Sequence, residues 1–575
     1  MFRNVFLTSL ALPITALLFL GACTSLPPRP SATVPEQWDA FVAGYIEGHF
    51  AAVPSFAVRA GRHEFDGKLP DWSEAGLQRE IARLQAAQTR ALAFDAAALT
   101  ESQRFERDYL LAVIDKNLFW LTTAGWPYKN PFYYGRDLDP EVYVTREYAP
   151  LAVRMKAYIA YARAIPGAIE QIRGNLRPPL PRTYIDNGRV IFGGLASFYA
   201  TAVPVIFAAV LDEKLQEELR RANAVALRAV QEMDTWLAAQ QESATEDFAL
   251  GAELFEEMLR RTERIDLPLA RLETLGRQDL ARNLVSLREA CAFFLPDATL
   301  AACVDAVNAN KPAGGAVAGA RRQLDELKEF VIAKQVVTIP GAEEARVAES
   351  PDYMRWNLAY IAIPGPYEQG LPAIYYVAPP DPAWSEAERR AYLPGEAKLR
   401  FVSVHEVWPG HFLQYLHAHR AASKIGQLFS SYAFSEGWAH YSEEMMWEAG
   451  LGSGDPETHI GQILEALLRN VRFLSAIALH TGRMTVAESV ELFREAAYLD
   501  PGNARQQAAR GTFDPAYLNY TLGKLMIRQL RDDWSATRGG RPAWPAFHEA
   551  FLSLGAPPIP LVRAALLGAE GGPPL

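Results

Sequence analysis

The chain has 575 residues, 50% of them hydrophobic and 22% charged, a composition that excludes a collagen-like or largely disordered protein and leaves room for a sizeable core. Lys plus Arg number 57 against 67 Asp plus Glu, a formal net charge of −10. No basic run would track a phosphate backbone, so nucleic acid is not an expected partner.

Residues 1–22 begin with a short segment containing Arg3 and continue through an apolar run from Val5 to Leu20, the pattern of a secretory signal. The sequence Leu20-Gly21-Ala22-Cys23 resembles the bacterial lipobox, which implies a signal peptide of the lipoprotein type and a lipidated Cys23 as the first mature residue. Pro13 and the small residues before Cys23 favour processing over an uncleaved anchor. Thr24 follows the cysteine in place of the aspartate associated with inner-membrane retention. The expected location is therefore the outer membrane, facing the periplasm. Residues 23–35 are rich in Pro, Ser and Thr and read as a tether. A single folded domain is expected over 36–575.

From there the pattern is helical. Segments 74–97, 100–120, 210–245, 252–290, 318–334, 457–482 and 485–498 space their apolar residues by three and four. Strand signals are few: Ile374-Tyr375-Tyr376-Val377 between two prolines, and a weaker one at 336–339. Cys291 and Cys303, twelve residues apart, either pair in an oxidising compartment or remain as two buried thiols.

The chemistry concentrates in His405-Glu406-Val407-Trp408-Pro409-Gly410-His411. A hydrolytic zinc site needs neutral nitrogen or carboxylate ligands, an open position for water, and a carboxylate that accepts the water's proton without binding the metal. His405 and Glu406 supply a ligand and such a base side by side. Histidines at i and i+4 share a helix face, but His411 stands at i+6, about 120° away on a regular helix. Pro409 removes a helical N–H and Gly410 permits unusual backbone angles, so a local bulge is expected to bring His411 back.

Residues 405–414 match His-Glu-x-x-Pro-Gly-His-x-x-Gln, ending at Gln414. This resembles the bacterial family catalogued as domain of unknown function 885. That family is similar to the helical gluzincin peptidases such as angiotensin-converting enzyme and thimet oligopeptidase. The resemblance implies a mainly α fold, with a small β-sheet beside a deep cleft. It also implies one Zn2+ per chain held by His405, His411 and Glu436, with Glu406 as general base. Glu436 opens Glu436-Gly437-Trp438-Ala439-His440-Tyr441-Ser442-Glu443. His440, one turn later, is the alternative third ligand. Glu443 and Gln414 are expected to orient ligands, Tyr520 or His480 to stabilise the oxyanion, and Arg510 to grip a substrate carboxylate or carbonyl. The Tyr375-Tyr376 segment fits a strand edge that holds an extended peptide. Where that family usually has aspartate and glycine, this chain has Ala476 and Ala478. Trp408 and Trp438 read as core beside the metal, and His417 and His419 as exposed surface.

The function implied is zinc-dependent hydrolysis of short peptides by an oligo-, di- or carboxypeptidase. Two alternatives stand beside it: a silent peptide- or envelope-binding lipoprotein on the same fold, and a zinc amidase acting on a non-peptide amide. Glu406 weighs against the first, because a binder has no need of a general base.

Overall fold

The computed structural model describes residues 33–355, 357–568 and 574–575. The signal segment and Cys23 lie outside them. Helices dominate, and their apolar faces build two large cores. One is made by Trp38 to Leu237, with the helices Val34–Ala52, Leu151–Asn175, Arg182–Ile206 and Glu213–Ala239. The other runs from Phe119 and Phe255 to Val562 and includes Leu269–Phe294, Glu396–Glu406, Tyr432–Glu448, Pro456–His480 and Asn519–Ala536. Polar contacts tie the N-terminal helices to later parts of the chain: Tyr109 Oη donates to the Phe429 carbonyl, Lys116 Nζ to Ser430 O at 2.8 Å, and Tyr184 Oη to Thr512 O at 3.1 Å.

The expected helix over 252–290 is two helices, Ala252–Glu263 and Leu269–Phe294. Arg264 in the left-handed region ends the first, and Pro268 precedes the second. Cys291 and Cys303 form a disulfide that ties Leu269–Phe294 to Leu300–Ala309.

Three strands make the sheet, in the order β1 (Ala345–Glu349), β3 (Ala373–Val377), β2 (Ala359–Ala362). β1 runs parallel to β3, with Val347 opposite Tyr375, and β2 runs antiparallel, with Tyr360 opposite Tyr376. Residues 336–339 form no strand. The apolar run around Tyr375 and Tyr376 is the central strand, so neither of its edges is open to a peptide. That corrects the edge role expected for it. Both tyrosine hydroxyls are buried without a hydrogen-bond partner among the described residues. β2 is an outer strand and packs against the Glu396–Glu406 helix.

Candidate metal centre

The Glu396–Glu406 helix stops inside the motif. Val407 N–H still reaches Ser403 O at 3.0 Å, the chain turns through Trp408 and a cis Pro409, and Gly410 N–H returns to Val404 O at 2.9 Å. His411 opens a new helix, His411–Ala418. The expected bulge within one helix is thus a break between two. Gly410 is required by closeness: a Cβ there would lie 1.9 Å from the His405 carbonyl oxygen. Trp438 Nε1 donates to Pro409 O at 2.8 Å, fastening the turn to the helix that carries Glu436. Trp408 and Trp438 are both buried.

The break carries His411 round to His405. Their ring centroids are 4.8 Å apart at 87°. Glu436 Oε2 stands 3.2 Å from Nε2 of each histidine, and one donor atom from each of the three residues falls within a 4.8 Å span. Ligands about 2.0–2.2 Å from a tetrahedral zinc are spaced roughly 3.3 Å apart. The donor set and its spacing therefore fit such an ion.

Glu436 and Glu443 lie seven residues apart on one helix face. Glu443 Oε1 is 2.7 Å from His405 Nδ1, and because the carboxylate can only accept, Nδ1 carries a proton; burial disfavours a charged ring, but the hydrogen bonds to Glu436 at Nε2 and to Glu443 at Nδ1 outweigh it and raise His405 to about 9. The other Glu443 oxygen accepts from His440 Nδ1 at 3.0 Å, which turns His440 toward Glu443 instead of leaving it as a third ligand. Arg469 Nη2 approaches Glu443 Oε1 at 3.2 Å. Burial would raise the Glu443 carboxyl, but Arg469 and the two histidines outweigh it and hold it well below the carboxylate range. Burial pulls in the same direction on Glu436, where His411 and His405 win and keep it ionised.

Glu406 differs from these. It is buried and makes no hydrogen bond or ion pair with any described residue. Burial, reinforced by Glu436, raises its pKa against the pull of His411 and His405.

Tyr520 stacks on His405, with centroids 5.9 Å apart at 19°. Its hydroxyl accepts from Arg510 Nη2 at 3.2 Å. Arg510 in turn pairs with Asp514 at 3.0 Å and donates to Tyr432 Oη at 3.0 Å. Its charge is met within the protein by Asp514. The role expected of His480 is corrected. Its Nε2 bonds Gly511 O at 2.8 Å and its Nδ1 accepts Leu250 N–H at 3.3 Å, so both nitrogens serve the main chain. It lies three turns beyond Arg469 on one helix, roughly 16 Å along the axis. Gln414 is fully buried and neither of its amide atoms bonds a described group, so it orients no ligand. His417, expected at the surface, is buried and bonds Thr338 O at 2.9 Å.

Sequence reasoning missed Arg469, Arg472, Tyr432 and Glu263. Glu263 accepts from Ser431 Oγ, Tyr432 N and Ala433 N, capping the helix that bears Glu436. Glu465, Arg469 and Arg472, at spacings of four and three within an otherwise apolar helix, were the available signal: buried charges need partners.

The chain is similar to solved structures. One is a candidate lipoprotein of unknown function from Shewanella oneidensis, 23% identical, with a TM-score of 0.72 over 93% of this chain and 100% of that one. Another is a candidate lipoprotein from Colwellia psychrerythraea, 16% identical, with a TM-score of 0.78 over 92% of this chain and 98% of that one. At these identities the likeness concerns the fold. No curated protein matches the chain. The family described as "Bacterial protein of unknown function (DUF885)" matches residues 54–566, and the chain belongs to that family.

Proposed function

We propose that the chain is a zinc-dependent peptidase of the helical gluzincin type, exported and held by a lipid on Cys23 at the periplasmic face of the outer membrane, and acting on short peptides. The observation that carries this reading is the convergence of His405, His411 and Glu436 beside an unbonded Glu406 carboxylate. Those three residues would hold one zinc ion, which when bound supplies a Lewis acid and lowers the pKa of water.

The protein groups divide the remaining work. Glu443 fixes the His405 tautomer, and the Gly410 turn sets the angle between the rings. Glu406, made more basic by burial, accepts the proton of the attacking water and returns it to the leaving amine. Tyr520 accepts from Arg510, so its own proton remains to stabilise the carbonyl oxygen as charge develops there. β2 replaces β3 as the strand whose edge can align an extended peptide.

The test compares the full-length chain in detergent with its Glu406→Gln variant, by zinc content and by hydrolysis of a short-peptide library. Both should hold about one zinc per chain, as a single three-ligand site requires. Cleavage should fall about 10²–10⁴-fold in the variant. Absence of metal from the parent overturns the reading. Bound metal without cleavage by the parent moves the assignment to a binding lipoprotein or to an amidase acting on another substrate.

A further inference from the structure

The buried cations around Tyr520 are unequally neutralised. Arg469 meets Glu443 and Glu465, and Arg510 meets Asp514. Arg472 is only 5% exposed, yet among the described residues it has no carboxylate partner. Its Nε donates to Gln507 Oε1 at 2.8 Å, and its guanidinium lies over the Tyr520 ring, 4.7 Å from the centroid. Burial, then the repulsion of Arg510 and Arg469, pulls Arg472 down to about 10. Lys398, on the helix of His405, is pushed down to about 8 by burial, with Arg469 and Arg472 adding to the push. Lys398 also meets Glu465, at 3.6 Å, so of these cations Arg472 is the one without a carboxylate among the described residues, and an unpaired buried ion is costly.

We infer that Arg472 receives a carboxylate of the substrate, the free α-carboxylate at the end of a short peptide. Gln507 holds Nε and the Tyr520 face holds the plane, which leaves Nη1 and Nη2 as a fork matched to a carboxylate's two oxygens. The distance limits the peptide. Arg472 and His405 both contact the Tyr520 ring, and the two separations place the Arg472 guanidinium no more than about 11 Å from the His405 ring. An extended chain covers about 3.3–3.6 Å per residue, so the carboxylate lies within about three residues of the bond that is cut. This inference rests on the peptidase reading and narrows it to removal of one to three residues from the carboxyl end.

The test measures equilibrium binding to the full-length Glu406→Gln chain in detergent by calorimetry. Three probes are used: acetyl-trialanine as the free acid, the same peptide as its C-terminal amide, and an acetyl-Ala-Asp-Ala amide. The free acid should bind at least about tenfold more tightly than either amide, the range of a charge-assisted hydrogen-bonded contact. Adding Arg472→Gln should bring the acid-to-amide ratio near unity, and Arg472→Lys should restore part of it. Equal binding of acid and amide before any change at Arg472 overturns the inference, an outcome that does not require any Arg472 variant to fold. So does a ratio that survives Arg472→Gln in a chain with unaltered circular dichroism. An Asp-containing amide that matches the free acid assigns the site to acidic side chains and overturns the α-carboxylate. Acid preference without parent cleavage rejects the peptidase reading alone, and cleavage without acid preference rejects Arg472 alone.

Discussion

One carboxylate, Glu443, connects most of the candidate centre. Fully buried, it accepts from Nδ1 of His405 and Nδ1 of His440 and pairs with Arg469. Burial, with Lys524 adding to it, lowers His440 to about 4, so that histidine donates to Glu443 as a neutral imidazole. Glu443→Gln removes the charge that fixes the His405 tautomer and leaves the guanidinium of Arg469 with Glu465 as its remaining partner. Outer partners of this kind are worth about 10–100-fold in metal affinity. Zinc affinity measured by chelator competition should fall within that range, and an unchanged affinity would show that Glu443 serves only the core.

The two helices that supply Glu436 and Tyr520 reach one centre because glycine faces glycine where they cross. A Cβ on Gly437 of Tyr432–Glu448 would sit 2.5 Å from Gly523 Cα on Asn519–Ala536, and one on Gly523 would sit 2.0 Å from Ala433 O. Backbone meets backbone there, so no side-chain rotation relieves an added methyl. Gly437→Ala should lower stability by about 1–3 kcal/mol, the cost of overpacking, read from the denaturant midpoint. An unshifted midpoint would mean that the crossing yields more easily than its geometry suggests. Sequence reading located helices well where the periodicity was long, as over 74–97 and 318–334, seen as Glu74–Ala93 and Ala316–Lys334. It reached His405, Glu406 and His411 because their chemistry is local. It placed Tyr375 and Tyr376 on a strand but at an edge instead of the centre, since a short apolar run does not reveal which neighbours it pairs with. The same limit explains His480: its ring is committed to main-chain groups of Gly511 and Leu250, far from it in sequence. The pairing of Arg469 with Glu443 likewise depends on a tertiary contact between two helices.

At the scale of the molecule, the N-terminal core is clamped to the loop between β2 and β3 by a compact ionic group. Glu368 in that loop accepts from Arg146 Nη1 at 2.7 Å and lies 3.3 Å from His63 Nε2, while Asp66 lies 3.1 Å from His63 Nδ1. Tyr148 stacks on the His63 ring at 3.6 Å, and Tyr367 N–H reaches back to Ala60 O at 3.0 Å. Partial burial disfavours the charged ring, but hydrogen bonds to Asp66 and Glu368 outweigh it and raise His63 to about 9 from an ordinary 6.5. A raised folded-state value means that the folded chain keeps this proton when the unfolded chain has lost it. The stabilisation is therefore complete below about pH 6.5 and disappears as the pH rises through about 9. Denaturant midpoints at pH 6 and pH 9.5, compared between the parent and His63→Gln, isolate this group from all others that titrate in the interval. The parent should lose more stability than the variant over that rise, with the two curves converging at the alkaline end. Parallel curves would show that the clamp does not depend on the charge of His63 and that Arg146 alone holds Glu368 across the junction.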